Sequence, residues 1–153
     1  MKIQIKKHTN VDLPDIIPNG DWIDLFSAVH MEIMKGEHRL IDLGISVKLP
    51  KGYELIIAPR SSTFKLYGLI QTNGIGVVDN SYCGDKDHIK MSVYATRDTE
   101  ITPGARLCQF RVQLSQKATI WQKLKWLFSN NIKIVEVESL KDKSRGGFGS
   151  TGA

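Results

Sequence analysis

The chain has 153 residues, 41% of them hydrophobic and 24% charged, a balance that gives one domain with a proper core and excludes a disordered or fibrous chain. No apolar run approaches the roughly 18 residues of a membrane span. A net charge of +5 suits an anionic ligand, but the 21 basic residues are spread along the chain and make no case for nucleic-acid binding.

Met1-Lys2-Ile3-Gln4-Ile5-Lys6-Lys7 alternates polar and apolar residues, which predicts an edge strand over residues 2–6 and not a signal peptide. Pro14, Pro18 and the Asn19-Gly20 pair predict a loop over residues 9–20. Asp24 follows inside Trp22-Ile23-Asp24-Leu25-Phe26, where apolar neighbours should partly bury it. A buried carboxylate needs a partner, and Arg60 suits. Strand signals recur at residues 29–34, 40–49, 53–58, 69–72, 88–96, 106–114 and 132–137. Turns separate them at Gly36-Glu37, Pro50-Lys51-Gly52 and Pro103-Gly104. Many short strands at this spacing predict an all-β sandwich or jelly roll.

One short helix is expected over residues 62–67, behind Pro59-Arg60-Ser61. Ser61 and Ser62 at its start either cap it or offer hydroxyls to a phosphate. The densest stretch is Asn73-Gly74-Ile75-Gly76-Val77-Val78-Asp79-Asn80-Ser81-Tyr82-Cys83-Gly84. Its glycines predict a tight hairpin, with Val77 and Val78 anchoring the returning strand in apolar surroundings. Asp79 then stands on a held element, able to orient and deprotonate a water, with Tyr82 as a flat wall; a plain turn aspartate is the simpler alternative. The four histidines are dispersed, and Cys83 and Cys108 lack disulfide or metal-ligand spacing, which points to a reduced, cytoplasmic setting.

Residues 117–128 break the strand pattern. Ile120, Trp121, Leu124, Leu127 and Phe128 form one helical stripe, with Gln122, Lys123, Lys125 and Trp126 facing elsewhere. Either the stripe packs on the sheet, or the helix is a docking surface with Trp126 exposed among lysines. Residues 141–153 are polar and glycine-rich, which predicts a mobile tail whose N–H groups can converge on phosphate oxygens beside Arg145. The tail lacks the Gly-Lys-Ser/Thr ending of a Walker A loop. The expected organisation is a β-domain over residues 1–143, interrupted by a helical segment at about 115–131, and a phosphate-binding tail over residues 144–153.

Gly-Val-Val-Asp-x-x-Tyr-x-Gly, ending at Gly84, resembles the third signature of the trimeric dUTPases. Asp24-Leu25-Phe26-Ser27-Ala28, Pro59-Arg60-Ser61-Ser62, Gly104-Ala105-Arg106-Leu107-Cys108-Gln109 and Arg145-Gly146-Gly147-Phe148-Gly149-Ser150-Thr151-Gly152 resemble the first, second, fourth and fifth, in the family's order. Any one is weak; five in order is specific. The resemblance implies a distorted jelly roll and Mg²⁺-dependent hydrolysis of dUTP to dUMP and pyrophosphate. It makes Asp79 the activator of the attacking water, with Gln109 and Asp24 beside it. Asp24 would steady Arg60 and meet the metal only through water, with no direct protein ligand to Mg²⁺. Arg60, Ser61, Ser62, Arg145, Gly149, Ser150 and Thr151 become phosphate contacts, while Arg106 reads as structural. Asn73, Gly76, Val77 and Val78 read the uracil edge and leave no room for a methyl group. Tyr82 packs under the sugar and excludes a 2′-hydroxyl, and Phe148 closes on the base. The resemblance further implies a homotrimer whose site takes the hairpin from one subunit, the tail from another and the remaining signatures from the third. Two alternatives stand beside this reading. One is a dCTP deaminase relative; the other is a regulatory or binding protein that meets a protein partner through residues 115–131, which the resemblance marks as an insertion.

Overall fold

A computed structural model describes residues 1–14, 16, 20–129 and 131–147. The described residues form eleven strands and two helices. One sheet joins β1 (Lys2–Lys7), β4 (His38–Lys48), β6 (Leu69–Gln71), β8 (His88–Ala95) and β11 (Lys133–Glu136) in the order β11-β1-β4-β8-β6. The other joins β2 (Ile23–Phe26), β5 (Tyr53–Pro59), β7 (Gly76–Val78) and β10 (Arg106–Leu114) in the order β2-β10-β5-β7. A ribbon of β3 (Met31–Ile33) and β9 (Thr99–Ile101) closes one flank. The pairing is antiparallel except between β1 and β11.

Inward-facing residues of both sheets meet in one core, among them Ile3, Ile5, Ile41, Leu55, Met91, Leu107 and Phe110, which makes the molecule a distorted jelly-roll sandwich. Seven strand predictions match β1, β3, β4, β5, β6, β8 and β10 to within a few residues, and β11 follows the eighth. The short helix is α1 (Thr63–Tyr67). The sequence pattern misses β2 and β9. Three or four residues are too few to display a period, and buried Asp24 breaks the alternation in β2.

Two expectations are overturned. The strands flanking residues 72–75 do not pair with each other: β6 pairs β8 and β7 pairs β5, so the turn carries the chain from one sheet to the other. Val77 and Val78 are not a buried pair either. A strand alternates its faces, and Val77 is exposed while Val78 points into the core.

Helix α2 (Ile120–Phe128) opens on a capping box between Thr119 and Gln122. The Gln122 amide also donates to the Lys51 carbonyl at 2.7 Å, tying the helix to the β4–β5 turn. Its orientation reverses the expected one. Trp126 packs inward with its ring centroid 5.7 Å from that of buried Tyr53, whereas Trp121 is 77% and Phe128 82% exposed. The stripe is real, but it faces away from the sheet, and no residue of α2 is fully buried.

The expected outcome is an asymmetry between the two tryptophans. Trp126→Ala should lower unfolding free energy by about 2 kcal/mol, and Trp121→Ala should change it by less than about 0.5 kcal/mol. Denaturant titration of both variants measures this; equal losses would contradict the orientation of α2.

Candidate active site

The first cluster forms around the central turn. Gly74 takes a positive φ of 63° at its tip, and the Gly74 N–H donates to the Gln71 carbonyl at 3.4 Å. Gly76 has a different reason to be glycine, because a Cβ there would stand 3.2 Å from the Cβ of Ile57 across the ladder. Buried Gln71 holds the turn to β5, donating to the carbonyls of Ile57 at 3.2 Å and Gly74 at 3.4 Å. The result is a cavity of about 280 Å³ lined by Ile57, Asn73, Gly76, Val77, Val78, Asp79, Tyr82, His88, Ile89, Lys90, Arg145, Gly146 and Gly147.

At the cavity's edge, Oδ1 of Asp79 accepts the N–H of Ser81 at 2.7 Å and its hydroxyl at 2.5 Å. Oδ2 of Asp79 pairs with Arg145 at 2.5 Å, and the same Arg145 nitrogen donates to Ser81 Oγ at 2.7 Å. Partial burial pushes the Asp79 carboxyl up, but the Ser81 hydroxyl and N–H and the Arg145 guanidinium outweigh it and hold the group below the usual carboxylate range. Tyr82 is half-buried and donates its hydroxyl to the His88 carbonyl at 2.8 Å, which fixes the ring as one wall. Gly147 passes over that ring; a Cβ on it would come within 2.9 Å of the phenol oxygen.

The second cluster lies where β2, β10 and β5 run side by side, with Gln109 opposite both Asp24 and Ala58. Asp24 is buried and its Oδ1 meets Arg60 Nε at 2.9 Å, the partner expected from sequence. Its Oδ2 lies 3.5 Å from Arg106, consistent with a structural role for that arginine. The Gln109 amide makes a long 3.4 Å contact to the Pro59 carbonyl. Ser62 makes no side-chain capping bond to α1, and Ser61 is exposed. Thr63 does the fastening instead: its hydroxyl accepts the Arg60 N–H at 3.1 Å and donates to the Leu107 carbonyl at 2.5 Å.

These two clusters do not meet within one chain. Gly76 pairs with Ile57 and Val78 with Leu55, so the register carries Asp79 to the level of Glu54 near the start of β5, while Arg60 and Ser61 follow its other end. Six residues of strand separate them by about 20 Å. Arg145, in contrast, pairs with the Asp79 of its own chain. Phe148, Gly149, Ser150 and Thr151 lie outside the described residues.

Sequence reading missed His88, Ile89 and Lys90 as cavity residues, and it missed Gln71, Thr63 and Asp87 as supports. It also took the histidines as dispersed, yet His8 and His88 stack with centroids 3.7 Å apart. His88 Nδ1 is 2.9 Å from Asp42, and His8 Nε2 is 2.8 Å from the Ser46 hydroxyl. Burial, then the nearby His88 and Lys6, lower the His8 pKa against the opposing pull of Asp42 and Asp85. The one available signal was position, since His88 follows the Tyr-x-Gly run by four residues and opens a strand.

A dUTPase family model matches residues 20–152. The SPbeta prophage-derived deoxyuridine 5'-triphosphate nucleotidohydrolase YosS of Bacillus subtilis is 45% identical over 133 residues, covering 87% of this chain and 84% of that protein. The deoxyuridine 5'-triphosphate nucleotidohydrolase of Finegoldia magna is 33% identical over 159 residues, covering 99% of each chain. Among solved structures, the dUTPase from Streptococcus mutans superposes with a TM-score of 0.67 at 22% identity, over 76% of this chain and 98% of its own. That likeness speaks for the fold alone.

The hydrogen bonds at Asp79 generate a titration. Removing the hydroxyl in Ser81→Ala withdraws a bond that favours the charged form, so the Asp79 pKa should rise toward the ordinary carboxylate value. Because the carboxyl is depressed in the folded state, whatever its contacts contribute to stability is present above the ordinary carboxyl pKa and is lost as pH falls through the folded value. Carbon NMR of the Asp79 carboxyl in both proteins reads the shift; an unchanged midpoint would remove Ser81 from the account.

Proposed function

Because the chain belongs to the dUTPase family, we propose that its dUTP hydrolysis runs on Asp79 as the group that orients and deprotonates the attacking water. The observation that carries this assignment is the carboxylate's place in the lining of the cavity, paired there with the Arg145 guanidinium at 2.5 Å. The water oxygen attacks the α-phosphorus in line, its proton passes to Asp79, and the bond from the α-phosphorus to the bridging oxygen breaks. dUMP and pyrophosphate leave.

Arg145 is central to the electrostatics. While it pairs with Asp79 it weakens that carboxylate as a base. When a triphosphate enters, the guanidinium has a stronger anionic partner, and its move to the phosphate frees Asp79 to accept a proton. Arg60, Ser61, Ser62 and Gln109 supply further phosphate contacts, with Gly149, Ser150 and Thr151 from the tail. Asn73 and the backbone of residues 76–78 read the uracil edge. Tyr82 backs the sugar, and Phe148 covers the base.

The separation of about 20 Å along β5 supports a site shared between copies of the chain. Asp79 and Arg145 come from one copy, and Asp24, Arg60, Ser61 and Gln109 from a neighbour; the proposed assembly is the homotrimer. Asp24 suits the role of steadying Arg60. Its Oδ2, whose contact among the described residues is the long 3.5 Å one to Arg106, would leave a lone pair for a water on Mg²⁺. Mg²⁺ bound to the triphosphate would neutralise charge on the phosphate oxygens. No helix among the described residues is long and apolar enough to cross a membrane.

A second role rests on the outward stripe of α2. Trp121 and Leu127 are exposed, and no acidic residue lies between positions 115 and 133, while Lys117, Lys123, Lys125 and Lys133 do. Such a surface suits a protein partner with an apolar, acidic face, and this function would coexist with catalysis.

Two outcomes follow. Asp79→Asn keeps the shape and cannot take the proton, so kcat for dUTP should drop about 10²-fold or more with binding retained. Near-normal pyrophosphate release, or ammonia released from dCTP by the unaltered protein, would overturn the assignment. For α2, Leu127→Asp should leave both dUTP turnover and the mass of the assembly unchanged. A fall in mass by light scattering would show that the stripe packs between copies of the chain instead.

A further inference from the structure

Among the described residues Asp87 has no cationic side chain in contact, yet it is a carboxylate only 1% exposed. A charge that deep survives only if hydrogen bonds replace its water. Its Oδ2 accepts the N–H of Gly84 at 2.9 Å, a bond that closes the turn leading into β8. That bond alone would suffice for an ordinary aspartate turn. The remaining donors all come from far along the chain. Oδ2 also accepts the N–H of Arg145 at 3.0 Å, and Oδ1 takes the N–H of Gly146 at 3.3 Å and the hydroxyl of Ser144.

The packing agrees with the bonding. A Cβ on Gly84 would meet the carbonyl carbon of Lys143 at 2.7 Å, so the C-terminal segment lies flush on the turn. Two residues earlier, Asp85 fastens the approach to it, accepting the Leu140 N–H at 2.6 Å and the Ser139 hydroxyl at 2.8 Å. Arg145 is thereby held at both ends: its N–H on Asp87 and its guanidinium on Asp79. Pinning the backbone removes freedom that the long side chain would otherwise lose when it is aimed. Although burial raises the Asp87 pKa, the Ser144 hydroxyl and the N–H groups of Arg145, Gly84 and Gly146 overcome it, so the acceptor stays ionised.

We propose that Asp87 is a positioning residue for dUTP hydrolysis, whose buried carboxylate seats the root of the C-terminal segment on the 84–88 turn and so delivers the Arg145 guanidinium to the site. This rests on the reading of Arg145 and Asp79 given above.

A double-mutant cycle in the full chain tests it, with Asp87→Asn chosen because the amide keeps the volume while turning an acceptor into a donor facing N–H groups. Asp87→Asn should lower kcat/KM for dUTP about tenfold or more. Arg145→Ala should lower it at least as far, and the double variant should match Arg145→Ala alone. Amide exchange should show protection lost at Arg145 and Gly146 but kept at Phe110 in the core, which separates loss of seating from loss of fold. Full activity in Asp87→Asn beside an impaired Arg145→Ala would overturn the proposal. So would an undiminished effect of Asp87→Asn in the Arg145→Ala background, because Asp87 would then act by another route. If Arg145→Ala itself were fully active, the reading of the site would fall first and the proposal with it.

Discussion

An extended strand cannot be shortened, and β5 therefore fixes how the chemistry of this chain can be assembled. Its register with β7 sets Asp79 near one end, at the level of Glu54, and its continuation into Arg60 and Ser61 sets the arginine and hydroxyl at the other. Both ends are immobilised by the same ladder that builds the core, through Leu55 and Ile57. No side-chain rotation brings a carboxylate at one end to a phosphate held at the other. A water activated at Asp79 needs cationic and hydrogen-bonding groups within a few ångströms of the same phosphorus. Among the described members of the proposed phosphate-binding set, Arg145 meets this condition within one copy, and a neighbouring copy is the natural source of Arg60, Ser61 and Gln109.

Three carboxylates are satisfied in three different ways because their surroundings differ. Asp24 is buried between Arg60 and Arg106 and is satisfied by charge. Asp87 is buried with no cation against it among the described residues and is satisfied by backbone N–H groups and one hydroxyl. Asp79 is about half exposed, held by Ser81 and by a guanidinium that a triphosphate can draw away. Of the three, Asp79 alone combines a fixed position with access to solvent, which is what the activation of water requires.

Much of this was legible in the sequence. Alternation gave the long strands, and the five ordered signatures named Asp24, Arg60, Gln109, Asp79 and Arg145. The pairing of Asp24 with Arg60 followed from the cost of burying a lone carboxylate. What stayed hidden depends on contacts distant in sequence. Gly84-Asp85-Lys86-Asp87-His88 reads as an exposed charged turn, because the donors that bury Asp87 lie 57 to 59 residues away. The stripe of α2 could be seen, but periodicity does not say which side of a helix meets the sheet. A single contact, Trp126 on Tyr53, decided that. The turn at residues 72–75 misled for a similar reason, since local chemistry specifies a reversal and not the sheet in which each arm finds its partner.

The central claim is that Asp79 of one copy works with Arg60 of another. Mixing Asp79→Asn protein with an equal amount of Arg60→Ala protein, after random subunit exchange verified by mass, tests it most directly. A shared site has an even chance of each sound half, so about one quarter of the sites should regain dUTP hydrolysis by closed symmetry. If Asp79 and Arg60 served within the same chain, every site would carry one defect, and activity no higher than that of the separate variants would contradict the account.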